Sequence, residues 1–242
     1  MYKYKLNDKF LILKDFLLNI REIFKNSTNS IHKARNEIKV VDDLVIKSFK
    51  KPSLLKKLIY KFLPSKAKRS YEYSLNLKEF APTPIGYIEF YKVGFLEDSY
   101  FISEKFEYDF TIREPLLDES FPDKENIFKK FALFTFKLHS NGILHKDYSP
   151  GNILIKKEKD EYIFKVVDVN RMEFRELNKQ DRLKNFDKLW AKDKDLVIMI
   201  KEYAKLAKYD EKEAVEDALY YSKKLKDFKN MKKRLKGIPV VD

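Results

Sequence analysis

Two short segments carry side chains whose types and spacing could perform phosphoryl chemistry. The first contains Asp147 two residues after His145 and Asn152 five residues later, and the second is an apolar stretch that ends in Asp168. A carboxylate at Asp147 could accept or orient the proton of an acceptor hydroxyl. The side chains of Asn152 and Asp168 could hold a magnesium ion against the phosphates of ATP. Phosphoryl transfer needs mainly the positioning of the reacting groups and the neutralisation of phosphate charge. Because these side chains could provide both, the pattern indicates phosphoryl transfer.

Residues 145–152 could alternatively form an ordinary solvated turn, because Asp, Ser, Pro, Gly and Asn all favour turns. The elements predicted on both sides of this segment argue against that alternative. The periodicity predicts a helix over Lys124–His139 that ends at Asn141-Gly142. After the loop, strands at Ile153–Ile155 and Tyr162–Val167 are expected to form a hairpin. His145 is expected to orient the loop by hydrogen bonding and to take no part in proton transfer.

Ile31–Val41 and Leu44–Phe49 are predicted to be two strands that form a hairpin with its turn at Asp42-Asp43. Lys47 is the lone lysine of the apolar strand Leu44–Phe49 and is the candidate for contacting the nucleotide phosphates. The strand resembles the Val-Ala-Ile-Lys strand of kinases, whose lysine contacts the α- and β-phosphates and pairs with a helix glutamate. Glu72, in a helix expected over 65–80, is the predicted partner. Lys39 and Lys50 are the competing lysines.

A glycine-rich phosphate loop is missing, since none of the five glycines precedes Lys47. The segment Asn26–Lys33 is therefore expected to cover the phosphates, with Lys33 or Arg35 adding positive charge. Backbone groups near Glu104–Tyr108 are expected to bind adenine. This departure leaves open weak ATP binding or a catalytically silent kinase-like scaffold.

The residues after Asp168 favour an acceptor that is not a protein. Val169-Asn170 stands where protein kinases have Phe-Gly, and no Ala-Pro-Glu motif follows. Protein kinases use that segment to hold a peptide substrate.

Residues 50–69 form a basic, apolar segment, and no acidic residue occurs from Ser48 to Tyr71. Helical columns of apolar residues between Pro52 and Leu63 predict an amphipathic helix. Two interpretations remain open: a contact with the inner face of the cytoplasmic membrane, or a helix that packs its apolar columns on the domain. Lys223–Lys236, a second basic run, is interpreted as a solvated helix face.

Composition limits the remaining classes of function. The chain of 242 residues has no cysteine, which excludes disulfides, thiolate zinc sites and a cysteine nucleophile. No apolar stretch is long enough to span a membrane, and the N-terminus has no secretory signal, so we expect a cytoplasmic protein. The formal net charge of +13 has two open explanations, an anionic partner or a lysine-rich proteome.

The order of expected elements predicts an α+β, two-lobed, protein-kinase-like fold. Residues 1–105 would form a small lobe with an antiparallel sheet and one key helix, and residues 106–242 a mainly helical large lobe. A cleft between the two parts would be the natural ligand site.

Taken together, these motifs resemble the bacterial lipopolysaccharide kinase family, which includes the core heptose and Kdo kinases. The supporting features are Lys47, Arg69-Ser70-Tyr71-Glu72, Ala81-Pro82-Thr83-Pro84, Leu138-His139-x-x-Gly142-x-x-His145-x-Asp147, Asn152 and Asp168.

The resemblance implies a kinase that uses ATP and Mg²⁺ to phosphorylate a sugar hydroxyl of a lipid-anchored core at the cytoplasmic face of the membrane. No nucleic-acid partner is expected. One part of the loop departs from this family. The segment Ser149-Pro150-Gly151-Asn152 is more similar to the loop of aminoglycoside and choline phosphotransferases than to that of many core-sugar kinases. A small-molecule or protein kinase therefore remains an alternative, beside the silent membrane-binding scaffold.

Overall fold

The computed structural model describes residues 1–33 and 36–239, except for the side chains of residues 32 and 33. The chain divides into two units. The first comprises Met1–Glu107 together with Asp168–Asn170, and the second comprises Tyr108–Val167 and the chain from Arg171 onward. The sequence-based division placed every residue after 105 in the second part, whereas residues 168–170 belong to the first unit.

The first unit is built on a six-stranded antiparallel sheet with the strand order β1-β5-β6-β4-β3-β2. Its strands are β1 (Tyr2–Leu6), β2 (Ser30–Lys33), β3 (Asn36–Val41), β4 (Leu44–Phe49), β5 (Pro84–Lys92) and β6 (Phe95–Glu104). Its helices are α1 (Lys14–Leu18), α2 (Ile20–Asn26), α3 (Leu54–Ile59) and α4 (Lys66–Leu77), with 3₁₀ turns at Asp8–Leu13 and Lys78–Phe80.

Side-chain alternation gives this sheet two differently packed faces. Ile46, Ile88 and Ile102 form one core cluster with Leu17 and Ile20 of the first two helices. The residues one position away along the same strands face the opposite side. There, α4 packs its buried residues Ala67 and Tyr71 on Phe49, Tyr87 and Phe101.

Lys47 lies on the α4 face, because it is two residues from Phe49 and pairs in register with Phe101. The β3–β4 hairpin that presents it has the predicted turn, with Asp42 in the left-handed region at φ 51°. The predicted hairpin is thus confirmed.

Other expectations for the first unit are only partly met. The predicted strand 31–41 is divided into β2 and β3, and residues 34 and 35 lie outside the described part of the chain. The edge strand β1 has no counterpart in the sequence analysis. The basic helix ends at Ile59 instead of Leu63, and none of its residues is buried.

The second unit is mainly helical and carries short strands. Its helices are α5 (Arg113–Leu117), α6 (Lys124–Ser140), α7 (Lys179–Asn185), α8 (Asp193–Ala207) and α9 (Glu211–Arg234), with 3₁₀ turns at Pro150–Asn152 and Phe186–Leu189. Its strands are β7 (Phe110–Thr111), β8 (Ile143–His145), β9 (Ile153–Glu158), β10 (Glu161–Val166) and β11 (Met172–Phe174). The predicted β9–β10 hairpin is confirmed, and β8 pairs with β11. In the described part of the chain, no helix is long and apolar enough to cross a membrane.

These elements confirm the α+β class, with an antiparallel sheet in the first unit and mainly helices in the second. Helix α6 is the centre of the second unit, where Ile127, Phe128, Phe131 and Leu138 are completely buried. Because these residues recur at helical spacing, the apolar stripe read from the sequence is the buried face.

A buried polar network at the end of α6 connects three helices. The His139 Nε2–H donates to Asn185 Oδ1 at 3.1 Å, and the Tyr203 hydroxyl donates to His139 Nδ1 at 2.9 Å. Burial lowers the pKa of His139 to about 4. The imidazole is therefore neutral near pH 7 and uses both nitrogens in hydrogen bonds.

We expect Gly142→Ala to destabilise the protein more than Gly94→Ala. Both glycines have positive φ, at 70° and 74°, so an alanine at either position costs about 1 kcal/mol or more. Only at Gly142 would the new Cβ lie 2.8 Å from the carbonyl oxygen of Arg175, whereas it meets nothing within 4 Å at Gly94. Denaturant unfolding measures both losses, and equal losses would contradict the steric argument.

The stability of the protein should fall between about pH 6.5 and pH 4 because of His139. Its pKa is lower in the folded protein than in the unfolded chain, so the unfolded chain binds the proton first as pH falls. The difference corresponds to roughly 3 kcal/mol that is present above pH 6.5 and lost toward pH 4. The free energy of unfolding of the wild type and of His139→Gln, measured across this pH range, distinguishes the contribution of His139 from that of the carboxylates. The two pH profiles should differ in slope, and parallel profiles would refute the assignment.

Candidate functional site

His145 holds the predicted catalytic loop in place, as the sequence analysis expected. Its side chain is completely buried at the end of β8. The His145 Nε2–H donates to the carbonyl oxygen of Val167 at 3.0 Å, and its Nδ1 accepts from the amide of Asp147 at 3.1 Å. The ring thus connects the start of the loop to the end of β10, and both nitrogens are engaged.

Asp147 presents a half-exposed carboxylate beside one cation. Arg171 Nη1 lies 3.5 Å from Asp147 Oδ2, and the backbone amide of Lys146 donates to the carbonyl of Arg171 at 2.9 Å. The neighbouring Lys146 pairs with Glu173 instead. The carboxylate is therefore accessible to a substrate hydroxyl, and the guanidinium beside it can fix its orientation.

Asn152 has its side chain turned by one hydrogen bond within the loop. Its Nδ2 donates to the carbonyl oxygen of Asp147 at 2.8 Å, so the side-chain oxygen is the atom that remains for a metal ion. Its backbone carbonyl accepts from the amide of Val167 at 2.9 Å. Residue 152 is thereby fixed to the end of the strand that immediately precedes Asp168.

Two further residues of the second unit support the loop. Asn185 Nδ2 donates to the carbonyl oxygen of His145 at 3.0 Å, which connects the His139 network to the loop. The guanidinium of Arg113 lies against Gly151, where an added Cβ would be 2.6 Å from one of its nitrogens, so a larger residue would require this side chain to move. Neither Asn185 nor Arg113 was singled out from the sequence, because both are distant from the loop along the chain.

In the first unit, Lys47 and Asp168 form an ion pair. Lys47 Nζ donates to Asp168 Oδ1 at 2.7 Å, and the lysine is buried. Asp168 lies in the left-handed region at φ 56°, and Asn170 Nδ2 donates to the same carboxylate oxygen. Among the three candidate lysines, Lys47 is thus the one that contacts the terminal carboxylate of the motif.

The competing lysines have other positions. Lys39 is buried, and its Nζ donates to the carbonyl oxygens of Phe24 and Ser27, both at 2.7 Å. Its role is to hold the end of α2 against the sheet. Lys50 is exposed at the end of β4.

Glu72 does not pair with Lys47, contrary to the sequence-based expectation. Its carboxylate lies 3.8 Å from Lys68 Nζ, one helical turn earlier in α4, and is about half exposed. The spacing placed Glu72 on the correct helix, but the ammonium of Lys47 is instead engaged by Asp168.

Lys66, at the start of α4, is a cation that the sequence analysis did not assign to the site. Burial and the charge of Lys56 lower its pKa, Asp168 acts in the opposite direction, and Lys47 and Arg69 lower it further. Lys66 therefore lies in the same electrostatic environment as the Lys47–Asp168 pair. The lack of any acidic residue around it was the sequence signal that could have identified a cationic site.

The other nucleotide-binding expectations remain predictions. Lys33 belongs to β2, but its side chain and the whole of Arg35 lie outside the described residues. The amide of Glu104 donates to the carbonyl of Thr83 at 2.9 Å, and that of Lys105 donates to Asp43 at 2.8 Å. These two amides of the expected adenine-binding segment are thus engaged within the first unit, and binding adenine through them would require exchange of those bonds.

Within residues 1–33 and 36–239, no cluster of three or more His, Cys, Asp or Glu side chains is arranged to hold a metal ion. This finding is compatible with a kinase-type magnesium site. Mg²⁺ is commonly held by one or two protein oxygens while substrate phosphates and water complete its coordination. The Asp168 carboxylate and the Asn152 side-chain oxygen are of the type that Mg²⁺ prefers.

Comparison with known proteins identifies both the fold and the family. The structure is similar to that of WaaP, solved in complex with acyl carrier protein, with a TM-score of 0.60 and 14% identity over 92% of this chain and 97% of WaaP. It is also similar to a crystal structure of WbdD, with a TM-score of 0.50 and 12% identity over 76% of this chain and 46% of WbdD. These similarities confirm the predicted kinase-like fold.

At the level of sequence, the profile of the "Lipopolysaccharide kinase (Kdo/WaaP) family" matches residues 82–209, which is more than half of the chain. The matched range contains Asp147, Asn152 and Asp168, whereas Lys47 and Glu72 precede it. None of the curated proteins compared matches the sequence significantly. The chain belongs to the lipopolysaccharide kinase (Kdo/WaaP) family, and it is a phosphotransferase with an alcohol group as acceptor.

Proposed function

We propose that the protein uses ATP and Mg²⁺ to phosphorylate a sugar hydroxyl of a lipopolysaccharide core or a related envelope glycolipid. The observation that carries the proposal is the ion pair between Lys47 and Asp168. It joins the lysine expected to contact phosphate to the carboxylate expected to hold the metal. The two residues are 121 positions apart along the chain, so local turn or strand geometry does not account for their contact.

In the proposed reaction, the acceptor oxygen forms a bond to the γ-phosphorus of ATP. The bond from that phosphorus to the β–γ bridging oxygen breaks, and ADP leaves with the bonding electrons. The proton of the hydroxyl passes to the carboxylate of Asp147. Arg171, 3.5 Å from that carboxylate, helps to orient it.

Asn152 and Asp168 would hold the magnesium ion, which neutralises phosphate charge when it is bound. Lys47 would exchange Asp168 for a phosphate oxygen. Lys66 adds a second cation near that position, in a chain that has no glycine-rich loop before Lys47.

Family membership and the sequence after Asp168 both support a glycolipid acceptor. The chain has no Ala-Pro-Glu segment of the kind that holds peptide substrates. The reaction would take place at the inner face of the cytoplasmic membrane, where residues 50–69 offer a cationic contact. A panel of lipopolysaccharide cores, aminoglycosides, choline and peptides, each assayed with labelled ATP, tests the acceptor class. Transfer to an aminoglycoside or choline in preference to every glycolipid would overturn the proposal.

A small-molecule kinase is the second candidate function, because the loop segment Ser149-Pro150-Gly151-Asn152 resembles that of aminoglycoside and choline phosphotransferases.

A candidate protein partner is suggested by WaaP, whose structure was solved in complex with acyl carrier protein. A carrier-protein complex is therefore a further association to test for this chain.

Asp147→Asn should lower turnover by about 100-fold or more and leave nucleotide binding intact, since proton transfer by a positioned group contributes about that much. The measurement is labelled phosphate transfer alongside equilibrium binding of ATP. Asp160→Asn is the matched control, because Asp160 is an exposed carboxylate in the β9–β10 turn. Turnover that is unchanged in Asp147→Asn would remove Asp147 from the mechanism.

Asp168→Asn should abolish the magnesium-dependent part of stabilisation by ATP. Asn tolerates the left-handed backbone at this position, so the substitution mainly removes charge. Thermal unfolding with ATP, with and without magnesium, measures the effect, because a ligand that binds only the folded state raises the midpoint. If the variant and the wild type gain equally from magnesium, Asp168 is not a metal ligand.

A further inference from the structure

Helix α3 and the turn after it expose their apolar side chains to solvent. Leu54 is 83% exposed, Leu55 is 70% exposed and Phe62 is 88% exposed, and Leu58, Ile59 and Leu63 are also exposed. No residue of α3 is buried. The interpretation that this segment packs its apolar columns on the domain is therefore wrong. Contiguous exposed apolar surface on a soluble domain marks an interaction site.

The tip of the β5–β6 hairpin continues this surface. A groove of about 440 Å³ lies between the hairpin and α3, lined by Leu54, Leu58, Val93 and Phe95 with Lys57, Lys92 and Glu97. Lys57 forms an ion pair with Glu97, and Lys61 Nζ lies 4.4 Å from the centre of the Phe95 ring. Lys57 of the helix and Lys61 of the turn after it thus contact the hairpin, while Leu54, Leu55 and Phe62 remain largely exposed.

The hairpin tip has an unusual residue for its backbone conformation. Val93 and Gly94 form the two-residue connection between Lys92 and Phe95, and both have positive φ, at 49° and 74°. Such turns strongly prefer Asn-Gly, and a β-branched residue in the left-handed region is strained. Val93 is also 87% exposed, so burial does not compensate for that strain. The combination of backbone strain with an exposed apolar side chain marks Val93 as a candidate for contact with a binding partner.

The surface is also cationic. Residues 50–69 contain seven lysines and one arginine with no acidic residue. Within the described ranges, Lys56 and Lys61 form no ion pair, and both are exposed. Basic residues interspersed with exposed leucine and phenylalanine are typical of segments that lie in the headgroup region of an anionic bilayer.

We propose that α3, the turn through Leu63 and the Val93 hairpin tip form one surface that binds an anionic phospholipid bilayer. Lysine predominates over arginine here, and tryptophan is absent from residues 50–69. Protein–protein interfaces are instead enriched in arginine and aromatic residues and depleted in lysine, so the composition favours a bilayer. This surface does not depend on phosphoryl transfer and extends the membrane contact to a hairpin that the sequence did not indicate.

Co-sedimentation with vesicles tests the surface in the full-length protein. One vesicle set contains phosphatidylcholine alone, and the other contains equal parts of phosphatidylcholine and phosphatidylglycerol. Wild type should partition strongly onto the anionic vesicles only. Lys56→Glu with Lys61→Glu should weaken that partitioning by about 30-fold or more, because each basic residue near an anionic surface contributes about a fivefold factor. Leu58→Ser with Phe62→Ser should weaken it by about tenfold or more.

A matched control distinguishes the effect of this surface from the effect of net charge. Lys137→Glu with Lys205→Glu changes the net charge by the same amount as the first double variant. Both lysines are exposed on other helices, and neither forms an ion pair within the described residues. The control variant should partition like the wild type. Equal losses in both charge-reversal variants would overturn the proposal, since net charge alone would then explain binding.

Val93→Asn provides a second test, whose expected result cannot be caused by a loss of folding. Asn suits the left-handed turn, so the variant should unfold at the same or a higher temperature while partitioning less onto anionic vesicles. Unchanged partitioning would remove the hairpin tip from the surface. Wild-type protein that binds neither vesicle set would overturn the whole proposal and indicate an acidic protein as the occupant.

Discussion

A buried ammonium group needs a compensating charge, and the structure provides one to Lys47 through Asp168. Without a carboxylate, the desolvation of Lys47 within the sheet would be strongly unfavourable. The pairing places residues 168–170 in the first unit, although the chain before and after them belongs to the second. Asp168 follows the end of β10 by two residues, so the β9–β10 hairpin leads directly into the residue whose carboxylate pairs with the lysine of β4.

The other residues of the site are positioned by the elements that lie next to Lys47 and Asp168 in the chain or in the fold. Strand alternation places Lys47 on the face of the sheet that α4 covers, and the start of α4 brings Lys66 into the same electrostatic environment. In the second unit, the two ring nitrogens of His145 connect the catalytic loop to the strand that leads into Asp168. The missing glycine-rich loop is consistent with a site that relies on lysine charge where other kinases use backbone amides.

Local patterns predicted much of this arrangement. The β3–β4 and β9–β10 hairpins and helix α6 were predicted because their periodicity and turn residues are contained within short stretches of sequence. The pairing of β8 with β11 was not predicted, since strands of three residues carry almost no periodic signal and their partners are distant. The choice of Asp168 over Glu72 as the partner of Lys47 depends on tertiary distances that spacing along the chain does not encode. For α3, the amphipathic pattern did not distinguish burial from exposure, because packing against the rest of the chain decides between them.

The most direct test is an experimental structure of the protein with magnesium and a non-hydrolysable ATP analogue. We expect a magnesium ion bound by the carboxylate of Asp168 and the side-chain oxygen of Asn152. We also expect Lys47 Nζ to contact a phosphate oxygen of the analogue in place of Asp168. A complex in which the Lys47–Asp168 pair persists and the phosphates bind elsewhere would refute the proposed site.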